Sequence, residues 1–270
     1  MKGSTADAGA LEMKPFEALQ EWNRTLIAKV SQQMDLIERM SRLRRYVSPQ
    51  LADSILKSDD PDLFKSHRRE ITAIFLDLRG FTAFSDTAEP EEVMALLRSY
   101  HMEMGKLIFE FGGTVEHFVA DGLMVFFNAP VPCQDHTQIA VRLSLAICDR
   151  VKELRAGWLH KGYDLDLGIG LAAGYAAVGN IGFEGQMAYG AVGNVTNLAS
   201  RLCGAAKGGQ ILTDQKTLSR IEKSVEVEPL EELYLKGFVR TVRAFNIVGL
   251  RRHAESNEVR DSSIVQSRQR

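Results

Sequence analysis

The chain has 270 residues, 45% of them hydrophobic and 25% charged, with a formal net charge of -2. That balance is ordinary for a globular protein, and the length suits one sizeable domain with extensions. It gives no bulk attraction to nucleic acid or to an anionic membrane, no run approaches the ~18 apolar residues of a span, and Met1 to Leu11 lacks a signal-peptide core, so a cytoplasmic protein with no span of its own is expected.

In chain order, residues 1–14 are polar and mixed in charge and read as a disordered tail. Residues 15–66 read as a helical segment. Leu19, Trp22, Leu26, Val30, Met34, Ile37, Met40, Leu43 and Val47 recur at spacings of three and four. So narrow a stripe predicts a dimeric coiled coil, the alternative being a helix packed on its own domain. Pro49 restarts a shorter helix, Gln50 to Leu56.

Residues 67–249 read as the globular domain. Ile71 to Leu78 is a strand, and Pro90 to Phe111 is a helix stopped by Gly112-Gly113. Strands Thr114 to Val119 and Leu123 to Phe127 follow, joined by the tight turn Ala120-Asp121-Gly122. A second long helix opens at Asp135 or His136 and runs to about His160. Leu165 to Val178 is a strand and Asn194 to Ala206 a helix. Further strands are Ile211 to Thr213, Glu226 to Tyr234 and Arg243 to Val248, and residues 250–270 form a second disordered tail. The expected class is α+β, an α/β sandwich. It has a ferredoxin-like βαββαβ core, a smaller C-terminal α/β extension, and the long helix in front. Cys133, Cys148 and Cys203 are odd in number and lack CxxC spacing, which favours free buried thiols over disulfides or a zinc site.

Four places could carry chemistry. Asp77 closes the first strand in Phe75-Leu76-Asp77-Leu78-Arg79-Gly80-Phe81-Thr82. It is either an N-cap or a metal ligand, and the backbone at Gly80, Phe81 and Thr82 enters a helix where amides suit phosphate. Asp121 sits in the hairpin turn, a common place for aspartate. Yet a βαββ core can bring that turn beside Asp77, and two carboxylates there would make a hard oxygen site for Mg²⁺ or Mn²⁺. Asn197 and Arg201 lie four apart on one helix face, either a surface pair or a ribose and phosphate clamp. Lys236-Gly237 says little alone.

Together, FLDLRGFT (75–82), VEHFVADGLMVFF (115–127), YGAVGNVTNLASRL (189–202) and LKG (235–237) resemble the catalytic domain of class III adenylyl and guanylyl cyclases over about residues 68–248. LRRYVSPQLADSIL (43–56) is similar to the helical lead-in that often precedes it. The resemblance implies a lyase converting a nucleoside triphosphate, foremost ATP, into a 3′,5′-cyclic nucleotide and pyrophosphate. It implies that Asp77 and Asp121 hold two Mg²⁺ or Mn²⁺ ions per site, one activating the ribose 3′-hydroxyl and one binding the triphosphate. By the same resemblance Asn197 orients the ribose, Arg201 stabilises charge at the α-phosphate, and Lys236 holds the terminal phosphates. It further implies a head-to-tail homodimer with shared sites, signalling beneath an upstream sensor domain.

Two positions depart from the family pattern. His117 stands where adenylyl cyclases usually carry a base-reading lysine, and Gly190 where they carry Asp or Thr. The guanylyl pattern's Glu is also absent at the first of these. Ala120 replaces the usual glycine before Asp121. The resemblance keeps ATP as the leading substrate, and these departures predict weak discrimination against GTP and pyrimidine triphosphates. The alternatives are a guanylyl or pyrimidine nucleotide cyclase and a catalytically inactive, cyclase-like regulatory dimer. A diguanylate cyclase is disfavoured because the hairpin reads FVADGLMV rather than a GGDEF type.

Overall fold

The computed structural model describes residues 7–43, 47–57 and 64–251. It divides into two compact units, one ending at Asp53 and one beginning at Ser54. Residues 1–6 and 252–270, most of the two expected tails, lie outside the described residues, as do 44–46 and 58–63.

Helix α1 spans Asp7–Leu43. It begins at Asp7 rather than at residue 15, because Ala8, Ala10, Leu11, Glu12 and Met13 are strong helix formers. Leu19, Trp22, Leu26, Val30, Met34 and Ile37 are all exposed along it, Trp22 at 63%; the side chains of Met40 and Leu43 fall outside the described residues. Helix α2 is Pro49–Lys57, opened by proline at its first position while the Ser48 hydroxyl accepts the Leu51 N–H at 3.4 Å.

The second unit runs β1 (His67–Arg79), α3 (Phe81–Thr87), α4 (Pro90–Glu110), β2 (Thr114–Val119), β3 (Gly122–Phe127), α5 (His136–His160), β4 (Asp166–Phe183), β5 (Gln186–Val192), α6 (Asn194–Ala205), β6 (Ile211–Asp214), α7 (Gln215–Leu218), β7 (Val225–Pro229) and β8 (Ala244–Leu250). The sheet order is β2-β3-β1-β4-β6-β8-β7, with β5 paired to β4 alone. Its first four strands are mutually antiparallel, the arrangement of a ferredoxin-like core. The β6, β7 and β8 extension joins through parallel β4–β6 pairing. Among the described residues no helix is long and apolar enough to cross a membrane.

Two strands differ from expectation. The strand expected to end at Val178 continues to Phe183 and turns back as β5. Gly179, Asn180 and Gly182 carry a turn signature, which hides an extended arm in the sequence. β7 stops at Pro229, whose missing N–H ends the ladder; beyond it Leu233 makes a single bridge to Val242.

One face of the sheet is closed by α4 and α5. Tyr100, Met104, Ile108, Leu143, Ile147 and Val151 pack there on Ile74, Leu76, Val125, Phe127, Ile169 and Leu171. The opposite face carries α6, and the contact is close. A Cβ on Gly170 of β4 would lie 2.1 Å from the Ala199 carbonyl and 2.2 Å from the Cys203 nitrogen. Glycine is therefore what lets α6 rest on the strand. All three cysteines are free, and Cys148 and Cys203 are buried.

Candidate active site

Alternation along β1 puts Phe75, Asp77 and Arg79 on the α6 face, opposite Ile74, Leu76 and Leu78 in the core. Asp77 reaches the open end of that face with its side chain 42% exposed. Pairing of Leu76 with Leu123 carries the β2–β3 turn alongside. There Asp121 Oδ2 accepts the Leu78 N–H at 3.1 Å, and the two carboxylates become neighbours. Burial, then the Asp77 charge, pushes Asp121 up to about 6. Ala120, before it, adopts φ 50°, a conformation costing a non-glycine residue roughly 1–2 kcal/mol. The ring of His101 on α4 lies 5.0 Å from that of Phe118, two residues before the strained position.

Asp77, His117, Val119, Leu123, Ser200 and Arg201 line one groove of about 290 Å³ within a single chain. Arg79 bridges two of its lining residues, Asp77 and Cys203. Its Nη1 donates to Asp77 Oδ2 at 2.5 Å and its Nη2 to the Cys203 carbonyl at 2.5 Å, so the guanidinium joins β1 to the end of α6. Past it, Gly80 has φ 83° and leads into α3. A side chain there would also meet the Asp164 carbonyl at 2.6 Å. Phe81 is buried against Phe84, ring centroids 6.1 Å apart, whereas Thr82 is exposed. The amides opening α3 have no intrahelical acceptor.

Asn197 and Arg201 sit one turn apart on α6, both exposed, but only Arg201 lines the groove. Lys236 is exposed in a turn closed by the Phe238 N–H donating to the Leu235 carbonyl at 3.0 Å, and it too lies outside the groove. Gly190 is buried on β5. The structure thus brings Asp77, Asp121, His117 and Arg201 together and leaves Asn197, Gly190 and Lys236 apart from the groove in one chain.

Two side chains at the site are not anticipated from the sequence. Arg79 enters there only through its backbone, as the first residue of the phosphate turn. Glu116 stands between Val115, paired with Val125, and His117, paired with Met124, so it is the extra residue of a β-bulge. Its Oε1 accepts the Ala191 N–H at 3.1 Å. Burial raises its carboxyl above the usual range, opposed by that backbone bond and by His117. A charged residue inside an apolar strand was the available signal, but the bulge that turns it toward β5 leaves no mark in composition.

Whether divalent cations fit can be judged from the donors. Asp77 and Asp121 are apposed hard oxygen ligands, and burial followed by the Asp77 charge raises the Asp121 carboxyl. Among the described residues no group of three or more ligating side chains exists. A cation here would complete its shell with water and substrate phosphate, the habit of Mg²⁺. The donor set fits.

A sequence model of the adenylate and guanylate cyclase catalytic domain matches residues 64–249. Adenylate cyclase 1 of Rhizobium meliloti is 30% identical over 194 residues, covering 71% of this chain and 29% of that protein. Adenylate cyclase of Anabaena cylindrica is 27% identical over 221 residues, 76% of this chain and 42% of the relative; the chain thus spans less than half the length of either. Among solved structures, the adenylyl cyclase CyaB from P. aeruginosa superposes with a TM-score of 0.67 at 35% identity, covering 70% of this chain and 98% of that one. The guanylyl cyclase Cya2 gives 0.66 at 34%, covering 70% and 97%. With the sheet order and the four motifs, this match over most of the chain means that the protein belongs to the adenylate and guanylate cyclase catalytic domain family.

Proposed function

We propose that the chain is an adenylate cyclase that converts ATP into 3′,5′-cyclic AMP and pyrophosphate at a site completed in a homodimer. The observation that carries this reading is the apposition of Asp77 and Asp121 beside an open groove. The ribose 3′-oxygen bonds to the α-phosphorus, the bond from that phosphorus to the bridging oxygen breaks, and pyrophosphate leaves while the hydroxyl proton passes to solvent. Asp77 and Asp121 would hold two Mg²⁺ or Mn²⁺ ions, which when bound supply Lewis-acid charge at the hydroxyl and phosphates. Arg201 offers a planar fork to the α-phosphate oxygens as charge develops. The amides from Gly80 to Thr82 and the ammonium of Lys236 receive the remaining phosphates, and Asn197 hydrogen-bonds the ribose.

The dimer is supported by surface the single chain leaves uncovered. Asn197 and Lys236 lie outside the groove that holds Asp77, and with Arg201, one turn from Asn197 on α6, they are read as supplied to that site by a second copy. The β4–β5 arm exposes Ile181, Phe183, Met187 and Val192, and Phe118 and Val119 are exposed at the rim of the hairpin. Apolar surface so concentrated marks an interface. The exposed stripe of α1, from Leu19 to Ile37, is read as a coiled-coil seam joining the same two copies.

Overall similarity does not choose the base, since CyaB and Cya2 match almost equally. ATP is favoured because both curated relatives above are named adenylate cyclases; GTP is the runner-up because Gly190 offers the base no side chain. The test is product analysis by mass spectrometry after incubation with the four ribonucleoside triphosphates and Mn²⁺. Cyclic AMP as main product supports the reading. Absence of any cyclic nucleotide would leave an inactive regulatory dimer in its place.

A further inference from the structure

At the β2–β5 junction a carboxylate fills the space of a missing side chain. An ideal Cβ built on Gly190 would lie 2.2 Å from Glu116 Oε1 and 3.1 Å from its Cδ. No residue larger than glycine can occupy position 190 while Glu116 keeps this position. The bulge in β2 directs Glu116 there, and its Oε1 is spent on the Ala191 N–H. Oε2 is different: it is shielded from solvent and has no hydrogen-bond partner. His117 Nδ1 lies 3.8 Å from it, on an imidazole that is itself 48% exposed. His117, the next residue along β2, lines the groove that holds Asp77. A buried carboxylate oxygen with no donor is costly, and a ligand N–H would relieve it.

We propose that Glu116 is a specificity-determining residue of the nucleotide site, whose free carboxylate oxygen accepts from the 6-amine of adenine or the 4-amine of cytosine. The inference rests on the cyclase reading and deepens it. Adenine and cytosine carry an amine where guanine and uracil carry a carbonyl. An acceptor at this point favours ATP and CTP over GTP and UTP, because a carbonyl facing the carboxylate oxygen leaves two buried acceptors opposed. On this view Gly190 is the complement of Glu116, the carboxylate being delivered from β2 instead of from β5. The discrimination that His117 and Gly190 alone would leave weak is thereby strengthened.

The experiment measures kcat/KM for all four triphosphates on the full-length chain carrying Glu116→Gln, an isosteric change. The amide oxygen can still accept from Ala191, so a purely structural role survives, while the amide NH₂ replaces Oε2 with a donor. Loss of a bond to a charged acceptor predicts a fall in the ATP-to-GTP ratio of roughly 10- to 100-fold, with UTP rising against CTP. E116A should lose the ratio as well, and E116A combined with Gly190→Asp, which returns a carboxylate from β5, should recover it. A wild type that forms no cyclic nucleotide from any triphosphate defeats the cyclase reading itself. A wild type that cyclises while E116Q keeps its base ratios overturns the role of Glu116 alone, and so does a failure of the double variant, shown folded by its thermal melt, to recover the ratio.

Discussion

Gly170→Ala is the sharpest probe of how the fold positions Arg201. The added methyl would sit 2.1 Å from the Ala199 carbonyl and 2.2 Å from the Cys203 nitrogen, whereas ordinary contact begins at 3.4 Å. Both obstacles are backbone, so no side-chain rotation relieves them, and α6 must lift from β4 by about 1.3 Å at that point. Overpacking of this kind costs about 1–3 kcal/mol. For a domain of this size that lowers Tm by roughly 2–12 °C at 2–4 °C per kcal/mol. Because Arg201 lies between Ala199 and Cys203 on the displaced helix, a shift near 1 Å should reduce kcat by about 100-fold. The assays are a thermal melt and steady-state cyclase kinetics below the melting range. A lowered Tm with unchanged kcat would refute the claim that α6 positions a reacting group, and an unchanged Tm would refute the steric argument itself.

Asp77→Ala and Arg201→Ala homodimers should each be nearly inactive, and mixing them should restore about a quarter of wild-type activity if random pairing builds one intact site per heterodimer; no recovery would mean that the Asp77 and Arg201 lining one chain's groove work together within it. Asp121→Asn should abolish activity yet raise Tm in chelator near pH 7, because it removes charge opposed to Asp77. The folded carboxyl, at about 6, lies above the usual 3.8, so its contribution to stability is full below 3.8 and is lost as pH rises through about 6. The wild-type melt in chelator should therefore fall across that window more than the variant's, and equal pH slopes would contradict the apposition of the two carboxylates. Deleting residues 1–58 removes the α1 stripe and should make specific activity depend on protein concentration, as a lost tether lowers the effective concentration of the partner; analytical ultracentrifugation showing a fully active nanomolar dimer would exclude that role for the helix.

What was legible in the sequence was what period and punctuation encode. The helix at Pro90–Glu110 declares itself by the apolar face of Val93, Leu96, Leu97, Tyr100, Met104 and Ile108 and by the Gly112-Gly113 stop; the structure adds a reciprocal capping box between Glu89 and Glu92. The Asp-Gly turn marks the β2–β3 hairpin to within a residue. The meeting of Asp77 with Asp121 could be anticipated because a βαββ core forces β1 beside that hairpin. The β4–β5 arm could not, because its glycines and Asn180 imitate a loop while its backbone pairs from Ala177 to Phe183. Nor could the role of Glu116, since a bulge shifts one residue of pairing without altering the alternation of types around it. The base-reading departures were visible at His117 and Gly190, but their physical partner belonged to neither motif position.

The features that sequence missed share a cause, and it bears on why the site sits where it does. Arg79, Glu116 and the arm are places where the isolated chain carries unbalanced interactions. Glu116 keeps a carboxylate oxygen without a donor, Arg79 keeps its Nε without an acceptor, and the arm keeps Phe183 and Met187 in solvent. Asp77 and Asp121 add apposed negative charge, and Ala120 adds a strained backbone. Each is unfavourable in a lone chain, and on the proposed reading a base answers Glu116, divalent cations answer the paired carboxylates, and a second copy covers the arm. Their relief is then available as differential binding in the assembled state, which is the form in which binding energy can lower a barrier. A core rule read from sequence finds residues that satisfy one another. A catalytic groove is built from residues that do not, until substrate and partner arrive, and the rigid contacts beneath it, such as α6 on Gly170, hold those residues in place meanwhile.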